Sequence, residues 1–330
     1  MYLKPNLIIS ILLCLLPVSF LLAVALGAVS LPLIETLKAI VGIIVTHLRM
    51  PRALLAACVG ALLGISGATT QGLFRNPLAD PSLIGVTSGA IVGASIVIVL
   101  GGAILPAYWG VSLVSFGAFI GGALAVIIVY RLATSAMGTS VATMLLAGIA
   151  ITALAGSFNN FLEFIASNEM LRRISLWKMG GLDGANYSRV AIAVVITALS
   201  IIVLPRHAPA LNAMLLGESE AKHLGINVRQ LKRVLILLVA AGVGASVALA
   251  GTIAFVGLIV PHVMRLLGGP DHRYLLPASA LGGAILLMLA DVLARVLIAP
   301  TELPVGMLTA VIGAPFFIYL LVKKDNYGGL

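Results

Sequence analysis

The sequence predicts an all-α, polytopic membrane protein with ten transmembrane helices, and three observations carry that reading. Of 330 residues, 61% are hydrophobic and only 9% are charged, against roughly 25% charged in a soluble domain. The apolar residues fall into runs that suit a bilayer, which a helix crosses in about 20 residues at a rise of about 1.5 Å each. Glycines punctuate these runs at helical spacing, as at Gly60 and Gly64 with Gly67 close behind, which lets helix backbones approach closely in lipid. The composition excludes a soluble domain. Nucleic acid is a poor partner, because the net charge of +9 is not gathered into a basic cluster on a soluble face. Those cations suit anionic lipid at the membrane surface instead.

Taken in order, the spans are expected at 7–29, 53–73, 84–100, 109–132, 141–161, 190–205, 232–250, 254–268, 276–298 and 304–322. The first follows Lys4 and is too long for the apolar core of a signal peptide, so it is read as an uncleaved membrane helix. The third and eighth are short, and the eighth is interrupted by Pro261. Ten spans put both termini on one side. With that side cytoplasmic, twelve Lys and Arg residues fall inside and eight outside, the direction of the positive-inside bias. The outer eight (Lys38, Arg49, Arg52, Arg172, Arg173, Lys178, Arg189 and Arg295) oppose the bias. They are either tolerated there or meet something acidic.

Residues 49–90, RMPRALLAACVGALLGISGATTQGLFRNPLADPSLIGVTSGA, organise the rest. A small-residue helix ends in a polar, proline-punctuated loop from Gln71 to Pro81. A loop of that kind cannot face lipid, where its amides and carbonyls would go unpaired, so it belongs at a membrane surface or along a protein cavity. A faint internal echo accompanies it: Gly67 lies ten residues before Pro77, as Gly251 lies ten before Pro261. Duplicated halves with interrupted helices are a habit of transporters.

Two longer polar segments follow. Inside, 206–231 reads as two short helices joined near Gly217 and closed by Gly225, a plausible helix terminus; its interleaved apolar groups suggest a face for a partner protein. Outside, 162–189 is expected to hold a short helix, with Trp177 and Tyr187 as interfacial anchors. Cys14 and Cys58 both lie in apolar runs and are read as buried structural thiols without metal-ligand spacing. No phosphate-binding G-x-x-x-x-G-K-[ST] loop occurs, and no Ser-His-Asp or HExxH arrangement. His47, His207, His223, His262 and His272 are read as structural. Asp291 is the main intramembrane acid, with Glu163 near an outer end, too few to favour an ion-coupled carrier.

Four stretches in order then show a resemblance: residues 49–90, LLGESEAKHLGINV, AFVGLIVPHVMRLLGGPDHRYLLPASALGGA and ELPVGMLTAVIGAPFFIYLL. Over nearly the whole chain these resemble the permease subunits of type II ABC importers for iron-siderophores, haem and cobalamin. The resemblance implies one permease domain over 1–330, paired with a second copy around a central pathway in a bacterial inner membrane. It also implies two cytoplasmic ATPase subunits that use the ATP, an external substrate-binding protein, and no permanently bound cofactor, metal or catalytic residue. Carried over by residue, Arg49, Arg52 and Arg295 would meet acidic residues of the binding protein. Gly217, Glu218, Ala221, Leu224 and Gly225 would form the coupling helix that enters the ATPase, within 206–231. Asn76, Pro77 and Leu78, with the turn at Thr139 and Ser140, would form the cytoplasmic gates. The outer LRRISLWKMGGLDGAN is closer to haem permeases, and Arg172 and Arg173 would guide haem by its propionates. Cobalamin permeases share the W-x-M-G-G step, so cobalamin stays open beside haem and ferric siderophore. An ion-coupled secondary carrier is the alternative of another class.

Overall fold

The computed structural model describes residues 3–27, 42, 44–101, 107–135 and 138–325, with only the backbone path for 107–112 and 320–325. Lys38 and the end of the first predicted span lie outside the described residues, as do the side chains of Lys323 and Lys324. The chain forms α1 (Pro5–Ala25), α2 (Met50–Phe74), α3 (Val86–Gly101), α4 (Ala107–Ala133), α5 (Val141–Ile165), α6 (Asn168–Met179) and α7 (Tyr187–Val203). It continues as α8 (Ala208–Leu215), α9 (Glu218–His223), α10 (Val228–Ala250), α11 (Val256–Gly268), α12 (His272–Val296) and α13 (Val305–Asp325). Seven helical segments are long and apolar enough to cross a membrane, and the shorter apolar α3, α11 and α13 complete the ten expected spans among the described residues. Between α4 and α5, β1 (Thr134–Ser135) and β2 (Gly138–Thr139) pair as a minute antiparallel hairpin with Thr134 opposite Thr139.

Helix α2 is the axis. It packs against α12, α11, α10 and α7, and every residue from Val59 to Phe74 is buried. A helix covered on all sides must be small or apolar all round, and this one is. Glycine sets how close the neighbours come: a β-carbon at Gly60 would overlap the Gly283 carbonyl, and one at Gly64 the Ser279 carbonyl. A second pair of glycine ladders, Gly89 and Gly93 on α3 against Gly117 and Gly121 on α4, joins the next two helices by the same device. The obstruction is backbone, which cannot swing aside. Gly283→Leu is therefore expected to cost about 3 kcal/mol or more, the upper end for overpacking, read as a lower thermal midpoint and loss of monodispersity in detergent.

The first predicted loop starts later than expected. Gln71 to Phe74 form the last turn of α2, and Arg75 ends it in the left-handed conformation at φ 51°. The loop then satisfies itself: Leu78 N donates to Asn76 Oδ1 (2.9 Å) and Ser82 N to Asp80 Oδ1 (2.8 Å), which caps a 3-10 turn at Pro81–Ile84. The echoed segments meet in space. Gly67 lies against Gly257, and Gln71 donates to the Leu258 carbonyl (3.3 Å) while accepting from Arg265 Nη2 (2.8 Å). Cys58 is half-buried but Cys14 is exposed, so the expectation of two buried thiols is corrected for Cys14. It sits on the open side of α1, beside exposed Leu13 and Leu15, where lipid would cover it.

Candidate functional site

The helices place two polar clusters at opposite ends of the bundle. At the end that holds the 206–231 segment, α8 and α9 form as expected, hinged at Gly217 (φ 125°) and closed at Gly225 (φ 82°). Both angles lie where glycine alone is relaxed. Ala221 is fully buried and seats α9 on α8 and α10. Within the expected coupling helix, its methyl serves the inside of the chain. Leu224 instead is 63% exposed, together with Leu216 at 69% and Leu215 at 43%. These leucines stand in a polar segment.

The residues expected to form gates converge on this segment. Glu218 opens α9, and its Oε1 accepts from Lys232 Nζ at 2.6 Å; the same Nζ donates to the Thr139 carbonyl at 2.7 Å. Ser140 caps α5, its Oγ accepting from Thr143 N at 3.2 Å. Asn76 and Pro77 are exposed and Leu78 half-buried. The Arg75 guanidinium lies 3.8 Å from where a β-carbon on Gly217 would stand. The 206–231 segment, the hairpin and the NPL loop are thus neighbours. Asn212 of α8 adds a tie to α12 by donating to Asp271 Oδ1 (2.6 Å) and accepting from His272 N (2.9 Å). Burial works against the Asp271 carboxylate, but hydrogen bonds from Arg273 N and Asn212, with the Arg273 charge, hold it below its ordinary range.

The opposite end holds the arginines expected outside, and there they have partners within the chain. Arg49 and Arg295 are only 8% and 4% exposed. Arg49 Nη1 donates to the carbonyls of Val24 (3.1 Å) and Ala25 (2.7 Å). Arg295 donates to those of Ala23 and Leu26, both at 2.8 Å. These are the carbonyls that a helix C-terminus leaves without intrahelical donors, and cations are favourable at that negative end. Arg49 and Arg295 thus hold α1 in place and stand little exposed in the single chain. Arg52 donates to Asp291 Oδ1 (2.9 Å) and Glu302 Oε2 (2.7 Å), and Arg295 Nε lies 3.0 Å from Asp291 Oδ2. Three guanidiniums and Glu302 still border one open cleft of about 380 Å³.

Other outer cations also have internal partners. Lys178 pairs with Glu163 (3.0 Å), which Asn159 also contacts, and Arg189 Nη1 donates to the Leu249 carbonyl (3.3 Å) near the end of α10. Arg172 and Arg173 differ. Both lie exposed on α6, a helix capped by Ser167 and seated by buried Ile174. Arg173 borders a cavity of about 310 Å³ with Trp177, Asp183 and Arg189, and Arg172 is outside that lining. A further cavity of about 400 Å³ between α2, α3, α10 and α11 runs from Asp80 and Ser82 to Thr252 and Phe255. Among the described residues no three His, Cys, Asp or Glu side chains are grouped as a metal site needs.

Sequence reasoning passed over Lys232 and Asp291 as partners. Both carried a signal: Lys232 falls in the buried stripe Val228, Leu231, Leu235, Ile236 and Val239 of α10, and Asp291 precedes Arg295 by one helical turn.

Ten apolar spans around a small-residue axis, with a structured segment of exposed leucines at one end, define a multi-pass membrane permease. The chain belongs to the FecCD transport family, which it matches over residues 15–323. It is 46% identical over 278 residues to the hemin transport system permease HmuU of Yersinia pestis, covering 84% of this chain and 83% of that one. It is 45% identical over 291 residues to the cobalamin import system permease BtuC of Halobacterium salinarum, covering 88% and 75%. In structure it is similar to a transporter assigned to the metal-chelate type of ABC transporter and solved inward-facing, with a TM-score of 0.85 at 33% identity over 97% of this chain and 100% of that one. The fold is that of an ABC transporter permease, similar to the cobalamin permeases.

Proposed function

We propose that the chain is the membrane-spanning subunit of an ATP-driven importer, moving an iron-containing chelate from periplasm to cytoplasm across a bacterial inner membrane. The observation that carries this reading is the exposed set Leu215, Leu216 and Leu224 on a polar segment beside the gate hairpin. Solvent-facing leucines at the ends of two short helices suit the groove of a partner, and ATP hydrolysis then belongs to two such cytoplasmic subunits. That end is accordingly cytoplasmic, with both termini. A second copy would complete a pathway to which each chain contributes the cavity between α2 and α10 and the exposed face of α5, where Leu146, Ile149 and Leu154 are open. An ion-coupled carrier is disfavoured because Asp291 is held between two guanidiniums.

A periplasmic binding protein would dock at the arginine end. Arg49, Arg52 and Arg295 line one open cleft there with Glu302, and Arg52, bonded to exposed Glu302, is the favoured contact of the three. Haem is the favoured substrate, ferric siderophore next. Arg172 and Arg173 carry that choice, being exposed on α6 and, among the described residues, without a hydrogen bond or ion pair. A guanidinium can hold a propionate through two hydrogen bonds, whereas cobalamin presents mostly neutral amides. Cobalamin is the second reading, favoured by the 45% identity to a cobalamin permease. In proteoliposomes with the cognate ATPase and binding protein, R172A/R173A is expected to lower haem uptake and lysine at both sites to keep part of it. Normal haem uptake by the double alanine variant removes the guidance role. A ferric siderophore or cobalamin found on the purified binding protein overturns the choice of haem.

A further inference from the structure

Lys232 is 2% exposed in the apolar stripe of α10, packed in register with Val228, Leu231, Leu235 and Ile236. An ammonium there is costly unless it is paired and hydrogen-bonded. It stands in the second turn of its helix, where the backbone dipole gives a cation no help. Neither burial nor helix stability accounts for a lysine at this position. Its two contacts do. One bond goes to Glu218 at the start of α9 (2.6 Å), the other to the main-chain carbonyl of Thr139 in the hairpin (2.7 Å).

The two elements it joins are small and lightly held. Helix α9 spans six residues with Ala221 as its buried side chain, flanked by two glycine hinges at Gly217 and Gly225. The hairpin has two residues per strand, tied across by Thr134 Oγ1 and Thr139 Oγ1 at 3.0 Å. Ser140, the next residue, caps α5, so a displacement of Thr139 is passed to the start of a membrane helix. Lys232 itself is anchored in a long helix packed against α2 and α4.

We propose that Lys232 is the positioning residue that transmits movement of the partner-facing segment to the gate hairpin. When α9 is shifted by its partner, the Glu218 carboxylate moves relative to Nζ. The ammonium then follows the carboxylate or the carbonyl, and the Thr139 turn is released or drawn in. This inference rests on the coupling and gate assignments proposed above.

The test uses the full complex with its ATPase subunits in proteoliposomes and needs no transported substrate. The reporter is S140C in a C14S/C58S background, labelled with a polyethylene-glycol maleimide, without nucleotide and after trapping with ATP and vanadate. With Lys232 present, trapping is expected to change the labelling rate about fivefold or more, the lower end of typical coupling between sites. In K232M, an apolar variant of similar length, the change should fall below about twofold, with ATPase subunits still bound and ATP still hydrolysed. E218Q keeps the Thr139 bond and changes a more exposed partner, so it guards against misfolding; it should lose part of the response. The K232M/E218Q pair should be no worse than K232M alone, because the two act through one contact. A full response in K232M, or an additive double variant, overturns the proposal. So does loss of the ATPase subunits in K232M, which would make Lys232 a docking residue. No response with Lys232 intact removes the gate assignment itself, a failure distinguishable from the others.

Discussion

Replacing Leu224 by aspartate is expected to strip the ATPase subunits from the solubilised complex. The side chain is 63% exposed in the permease alone and lies on a segment whose backbone is set by Gly217 and Gly225. The substitution should therefore leave the permease folded, because no interior contact is lost. In a complex the same side chain would be pressed into an apolar groove, and an unpaired polar group there costs about 3 kcal/mol or more. That amounts to a fall of about 100-fold in affinity, visible as ATPase missing from the co-purified complex. Leu224→Met, similar in volume, should retain it. Full ATPase retention with normal coupling in the aspartate variant would remove Leu224 from the interface.

The second large effect is expected at Asp291. Its side chain is fully buried between Arg52 and Arg295, themselves 12% and 5% exposed. Asp291→Ala leaves two guanidiniums facing each other away from water, and removing one partner of a buried pair costs about 3–5 kcal/mol. Glu302 contacts the same Arg52 at 2.7 Å but is 39% exposed, so Glu302→Ala should cost under about 1 kcal/mol, as exposed pairs do. Denaturation of the detergent-solubilised permease measures both. Equal losses at the two sites would show that the cluster is not held through Asp291. The loss should also loosen α1, because Arg295 would no longer be aimed at its last carbonyls.

Much of this was legible in the chain. Hydropathy and length placed the spans, since a bilayer demands the same run of apolar residues wherever it occurs. Gly60 and Gly64 announced a close crossing, although not that Gly283 and Ser279 would fill it. The turn chemistry of Gly217 and Gly225 marked the two short helices, and the outer helix was expected where α6 formed. The site was legible in part. Resemblance placed the 217–225 segment and the turn at Thr139 and Ser140, but a motif does not say which way a methyl points, and that Ala221 faces inward came only from the fold.

What the sequence determined by itself was local or periodic: ten spans, their packing glycines, the breaks between them, and a polar segment carrying leucines. Only the tertiary structure decided what the charges do. Arg49 and Arg295 looked like outward cations, and they instead close the end of α1, with Arg295 reaching Ala23 across 272 positions. Lys232 looked like one more cytoplasmic charge, and it instead bridges Glu218 and Thr139. The physical reason is common to all three. Their acceptors are largely main-chain carbonyls, which every residue possesses and no residue advertises, so such a partner has no signature until the fold brings it within about 3 Å, hydrogen-bond distance.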